Sequence, residues 1–175
     1  MRRGSIFNAP VRGVLSCDDY RDACQVNADS TGKKISVQCW NIVPKILELD
    51  DFMNSNAEAR GILRESHPEV CFAMMNRGVS MRNSKKTKAG ETERRKLLRS
   101  YDPHCGTLIK ECLDSRSRNE LVVDDVLDAA VLAVAAEGEQ YGDIKSFPTE
   151  KIFDQKGLRM EIAYRDRFGK KGEKL

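Results

Sequence analysis

Two acidic clusters carry the clearest chemistry in this chain. The first is Glu65-Ser66-His67-Pro68-Glu69. A short strand leading to Glu65, followed by a helix opening at Pro68, would leave the Glu65 carboxylate free at a sheet rim. Ligands of open α/β sheets bind there. The second is Asp124-Asp125-Val126-Leu127-Asp128. Asp124 or Asp125 can cap a helix, and Asp125 with Asp128 resembles a capping box built with a short acid. Asp128 is followed by small apolar residues on a helix that should be buried, so its charge needs a donor, a cation or a metal. If the partner is a divalent ion, Glu65 and Asp128 could share it as hard oxygen ligands. A two-ion site of this kind, with ions about 3.5–4 Å apart, hydrolyses phosphodiesters by activating water and stabilising the leaving oxygen. The plainer reading is that Glu69 complements a helix dipole and Glu65 ends a strand in solvent.

A basic segment accompanies these acids. Between Arg82 and Arg99 lie eight cations (Arg82, Lys85, Lys86, Lys88, Arg94, Arg95, Lys96 and Arg99) and two acids, Glu91 and Glu93. The whole chain carries +3, so this +6 segment leaves −3 for the remainder. Lys85, Lys86, Lys88, Arg94 and Arg95 are the candidate contacts to a nucleic-acid backbone, gripping phosphates without reading sequence. The plainer reading is a solvated helix face. Trp40 could stack on a base, but its spacing among aliphatics assigns it to the core. The six cysteines form no Cys-x-x-Cys pair. They read as reduced, mostly buried thiols, and a zinc set of His67, Cys71, His104, Cys105 and Cys112 matches no common module.

These residues need elements to position them. Residues 2–14 read as extended. Asp18 or Asp19 caps a helix to about Ala28, and Ser36 caps a longer one to about Asn54, kinked at Pro44. Its two apolar stripes, one through Val37, Trp40 and Leu47 and one through Ile42, Ile46, Leu49 and Met53, predict a largely buried helix. Residues 61–65 read as the strand before Glu65. Pro68 then opens a helix ending near Asn76-Arg77-Gly78. A basic helix spans 90–100, a short one 107–114, and a polar linker 115–120. The helix over 122–137 is apolar on nearly every side and should be central. Leu158, Met160, Ile162 and Tyr164 alternate with Arg159, Glu161, Ala163 and Arg165, as in a half-buried strand. Residues 151–153 would pair back on it through the turn Asp154-Gln155-Lys156-Gly157. The charged residues 166–175 read as a mobile tail.

With 40% hydrophobic and 33% charged residues, the chain can bury one real core and is not wholly disordered. No apolar run approaches the ~20 residues that span a bilayer, and no secretory leader follows Met1, so a cytoplasmic location is expected.

Several stretches together resemble a known family, the domain of unknown function numbered 429, described as predicted nucleases with an RNase H-like fold. They are residues 3–10 (RGSIFNAP), 32–38 (GKKISVQ), 65–72 (ESHPEVCF), 84–87 (SKKT), 124–129 (DDVLDA) and 157–162 (GLRMEI). The resemblance implies an α/β fold: an RNase H-like mixed sheet flanked by helices, here helix-rich and N-terminally truncated. Residues 1–165 would form one domain, the C-terminal two-thirds of the family's. It also implies Mg or Mn held by Glu65 and Asp128, with Asp125 a weaker ligand and His67 and Lys86 auxiliary. Family members usually begin with a strand bearing an aspartate near glycines, and carry a later aspartate before an Ile-Pro-like turn. Neither segment is present, so an incomplete acidic site and an unpaired sheet edge open to self-association are expected. The leading expectation is therefore a metal-dependent nuclease, inactive if those acids are required. The alternative is a non-catalytic nucleic-acid-binding or assembly module using residues 82–99. A third is an unrelated hydrolase of small phosphate esters.

Overall fold

The computed structural model describes residues 9–115 and 121–168. They contain seven α-helices and one two-stranded antiparallel sheet, and fall into two compact units, residues 1–63 and 64–175. The expectations for residues 2–8, 116–120 and 169–175 lie outside the described residues.

In the first unit, a 3-10 turn (Arg12–Ser16) precedes α1 (Tyr20–Thr31) and α2 (Val37–Ser55). Residues 12–14, expected to be extended, thus lie in this helical turn. Asp19 caps α1, accepting from the amides of Arg21 at 2.7 Å and Asp22 at 2.9 Å. Gly32, at φ 72°, ends it in the left-handed region that glycine adopts without Cβ strain. Ser36 caps α2 through the Cys39 amide. Val14, Ala23, Cys24, Ile35, Cys39 and Val43 form the core, and Trp40 packs against it beside Tyr20. Only one line of α2, through Cys39, Val43 and Asp50, is buried. Val37, Ile42, Leu47 and Leu49 are exposed, so α2 is not the buried helix its two stripes predict.

Residues 57–62 form a helix, α3 (Ala57–Ile62), which takes up a polar loop and the first two residues of the strand expected over 61–65. The Asn56 side chain caps it through the Ala59 amide, and the run Ala-Glu-Ala-Arg favours a helix. The strand expected to lead into Glu65 shrinks to one parallel bridge, Ser66 beside Ala163.

The second unit is built around α7 (Val123–Glu137), which packs against α4 (Pro68–Met75), α5 (Lys88–Tyr101) and α6 (Cys105–Asp114). Its core joins Cys71, Phe72, Met75, Leu98, Ile109, Leu127, Val131 and Tyr164. The central position expected for α7 is met, although Ala129, Ala133 and Ala136 face solvent. Strands β1 (Ile144–Phe147) and β2 (Ile162–Arg165) pair antiparallel, with Ile144 opposite Arg165 and Phe147 opposite Ile162. With the Ser66 bridge this gives the barest mixed ladder, so the chain is mostly helical rather than a sheet flanked by helices.

The hairpin before β2 forms through the Phe153–Arg159 bridge and the Asp154 turn. The alternation over 158–165 does not hold. Met160 is exposed, whereas Glu161, Ala163, Tyr164 and Arg165 are buried. Arg165 is buried because it donates to Glu137 at 2.9 Å and to the Val134 carbonyl at 3.0 Å, and lies over the rings of Tyr101 and Tyr141. The first tail residues are anchored too. Arg167 donates to the Ser100 carbonyl, and the Arg77 guanidinium lies over the Phe168 ring. Among the described residues no helix is long and apolar enough to cross a membrane.

Candidate acidic site

Three helix starts converge near one ammonium group. Pro68 opens α4 because its fixed φ and missing N–H suit the first turn, and Glu69 follows in that turn. Asp124 and Asp125 stand in the first turn of α7, with Asp128 one turn further on. Thr87 caps α5 by accepting from the Gly90 amide at 3.1 Å, fixing the loop Ser84-Lys85-Lys86-Thr87 before it. Lys85 reaches from this loop to α7. Its Nζ donates to Asp128 Oδ2 at 2.7 Å and lies 3.8 Å from Asp124 Oδ2. The bond to Asp128, with the charges of Asp128, Asp124 and Glu69, holds the Lys85 ammonium above its ordinary titration range against partial desolvation.

Glu69 is itself engaged. Arg94 Nη2 donates to Glu69 Oε1 at 2.8 Å, and Arg94 Nη1 donates to the carbonyls of Asn83 and Gly90. Arg94 is 2% exposed. This corrects its assignment as a phosphate contact: the buried guanidinium is an internal clamp between α4, α5 and the loop. Arg95 and Lys88 both pair with Glu91 at the helix surface. Lys86 is exposed, and Asp125 faces solvent away from the buried face of α7.

Glu65 belongs to a different neighbourhood. Its carbonyl accepts from the Ala163 amide at 2.7 Å. Although the residue as a whole is exposed, desolvation of its carboxyl raises its pKa, the nearby Glu161 charge raises it further, and His67 partly offsets both. Glu161 is buried. It accepts two bonds from Arg64, at 2.8 and 2.7 Å, and pairs with Arg159 at 2.9 Å. Its carboxyl therefore titrates below the ordinary range, with the Arg64 bonds as the largest cause. His67 stands at the N-cap of α4, where its carbonyl accepts from the Cys71 amide.

The sequence placed Glu65 and Asp128 near helix starts and on one shared ion, and the structure gives them different partners. Glu65 interacts with Glu161 and His67, while Asp128 is neutralised by Lys85. Among the described residues no three His, Cys, Asp or Glu side chains gather as a metal-holding group. These residues, as arranged, do not fit Mg or Mn, nor zinc through the cysteine and histidine set. Lys85, assigned by sequence to phosphate, is paired with Asp128 and Asp124. No spacing rule could find the pairing of residues 85 and 128. The Arg64–Glu161–Arg159 cluster was hidden because alternation placed Glu161 on a solvent face.

No curated protein and no solved structure matches the chain. A family model does, over residues 1–151, which takes in five of the six stretches noted in the sequence and leaves out residues 157–162. By that match the chain belongs to the protein family of unknown function DUF429.

Proposed function

We propose that the chain is a nucleic-acid-binding domain of the RNase H-like, nuclease type, which grips a phosphodiester backbone without cutting it. The observation that carries this reading is the division of α5 into two faces. Gly90, Arg94, Leu98 and Tyr101 are buried, while Lys88, Lys96 and Arg99 stand in solvent, with Lys86 exposed in the loop before them. Exposed cations along one helix face suit successive phosphates and carry no base specificity. Asp128 is bound to Lys85, which removes the group that the catalytic reading most needs.

The test is fluorescence anisotropy with labelled duplex DNA and single-stranded RNA, alongside a cleavage assay in Mg²⁺ and in Mn²⁺. Binding should weaken when Lys86, Lys96 and Arg99 become Ala, and no cleavage should appear. Absence of salt-dependent binding would end this reading.

The second reading, metal-dependent hydrolysis, rests on Asp124 and Asp128 sharing a single cation, Lys85. Cleavage that needs Mg²⁺ or Mn²⁺ and disappears in both Glu65→Gln and Asp128→Asn would move the conclusion to it.

A further inference from the structure

The acidic site was expected to hold a divalent ion, and it holds a lysine. We propose that the Lys85 ammonium is the resident cation of this site and excludes divalent metals from Asp124 and Asp128. The inference does not depend on backbone binding through α5, and either can fail alone.

The geometry is that of a committed ion pair. A 2.7 Å contact between an ammonium and a carboxylate is a charge-assisted hydrogen bond at the short end of its range. Asp124 adds a second carboxylate at 3.8 Å. Asp128 Oδ1 is buried and accepts no hydrogen bond from the protein, so it is the oxygen that a water or an added ion would satisfy once the Lys85 charge is removed. Glu65, the other expected ligand, lies in the Glu161 cluster.

Charge balance points the same way. Lys85 and Arg94 set two positive charges against Asp124, Asp128 and Glu69. A divalent ion added to this set would make the cluster net positive, with two cations competing for one carboxylate. It must therefore displace Lys85. The backbone carrying Lys85 is fastened on both sides. Glu93 accepts from the amides of Arg82 and Asn83, and Arg94 donates to the Asn83 carbonyl. The Ser84 carbonyl accepts from the Thr87 amide and hydroxyl. Gly90 packs so closely on Ser84 that a Cβ there would meet its carbonyl oxygen at 2.0 Å.

Mn²⁺ uptake by the full chain, followed by the electron paramagnetic resonance of the free ion, tests this. Wild type and Asp128→Asn should take up the same amount. Lys85→Met keeps most of the stem and removes the charge. It should gain uptake of one ion, and adding Asp128→Asn should abolish the gain. Wild-type uptake that depends on Asp128 would overturn the proposal, as would a folded Lys85→Met that gains none. Should Lys85→Met fail to fold, amine labelling of the unaltered protein read by mass spectrometry decides. A charge-assisted bond should make Lys85 react about tenfold more slowly than Lys86. Mn²⁺ should leave that ratio unchanged. Equal rates, or acceleration of Lys85 by Mn²⁺, would refute it.

Discussion

Glu161 is a tightly held carboxylate, and its side chain is 4% exposed. Two guanidinium groups satisfy it, and its titration below the ordinary value of 4.5 fixes the sign of its pH dependence. The folded state prefers the ionised form. Its contribution is therefore complete above 4.5 and is lost as pH falls through the lower folded value. Arg64→Ala should cost about 1.5–3 kcal/mol at neutral pH, because Arg159 remains to hold part of the charge. The gap to wild type should narrow in acid, as read by urea unfolding on both sides of 4.5. Glu65 behaves in the opposite sense. Burial, then the Glu161 charge, raises its pKa, so its ionised form is the disfavoured one in the fold. Glu65→Gln should be more stable than wild type at neutral pH. That advantage should disappear below the ordinary value of 4.5, where the wild-type carboxyl is protonated in both states. A variant less stable than wild type at neutral pH would show that the Glu65 charge has a partner.

At the scale of elements, the helix starts are the best-determined features, because caps are local. Asp19, Ser36, Asn56 and Thr87 each accept an amide of the turn that they open. Gly90 sits in the first turn of α5, where helix propensity alone would favour Ala by up to about 1 kcal/mol. Contact decides otherwise, since a Cβ would meet the Ser84 oxygen at 2.0 Å. Gly90→Ala should therefore destabilise by about 1–3 kcal/mol and lower the melting temperature. An unchanged or raised melting temperature would mean that the Ser84–Thr87 loop can move aside. Strands were harder to read. The segment before Glu65 is a helix and a single bridge because Asn56 can cap it, and residues 158–165 lose their alternation because β2 is buried on both faces.

For the molecule as a whole, the +6 of the basic segment overstates the field that a nucleic acid would meet. Lys85 and Arg94 are neutralised by acids from elsewhere in the chain, and Lys88 and Arg95 share the one charge of Glu91. Arg82, Lys86, Lys96 and Arg99 are exposed and lie outside these ion pairs, whereas Lys88 is exposed but paired with Glu91. A protein using these four should bind duplex DNA with a slope of log K against log salt no steeper than about −4, whereas all eight cations would give about −7. Anisotropy at several salt concentrations measures this slope. The steeper value would mean that the ion pairs open on binding.

The sequence alone determined what depends on neighbours along the chain: the capped helix starts, the helix opened by Pro68, the apolar α7, the hairpin turn at Asp154, and the motif stretches, five of which lie within the family match. It also singled out Glu65 and Asp128, though not Glu161. Their partners were settled only by the tertiary structure. Lys85 and Asp128 are 43 residues apart, and Arg64 and Glu161 are 97 apart. A charged side chain has no periodic signature of its own, so whether it meets a cation, a phosphate or water depends on which distant element packs beside it. That placement turned an expected metal ligand into one half of an ion pair.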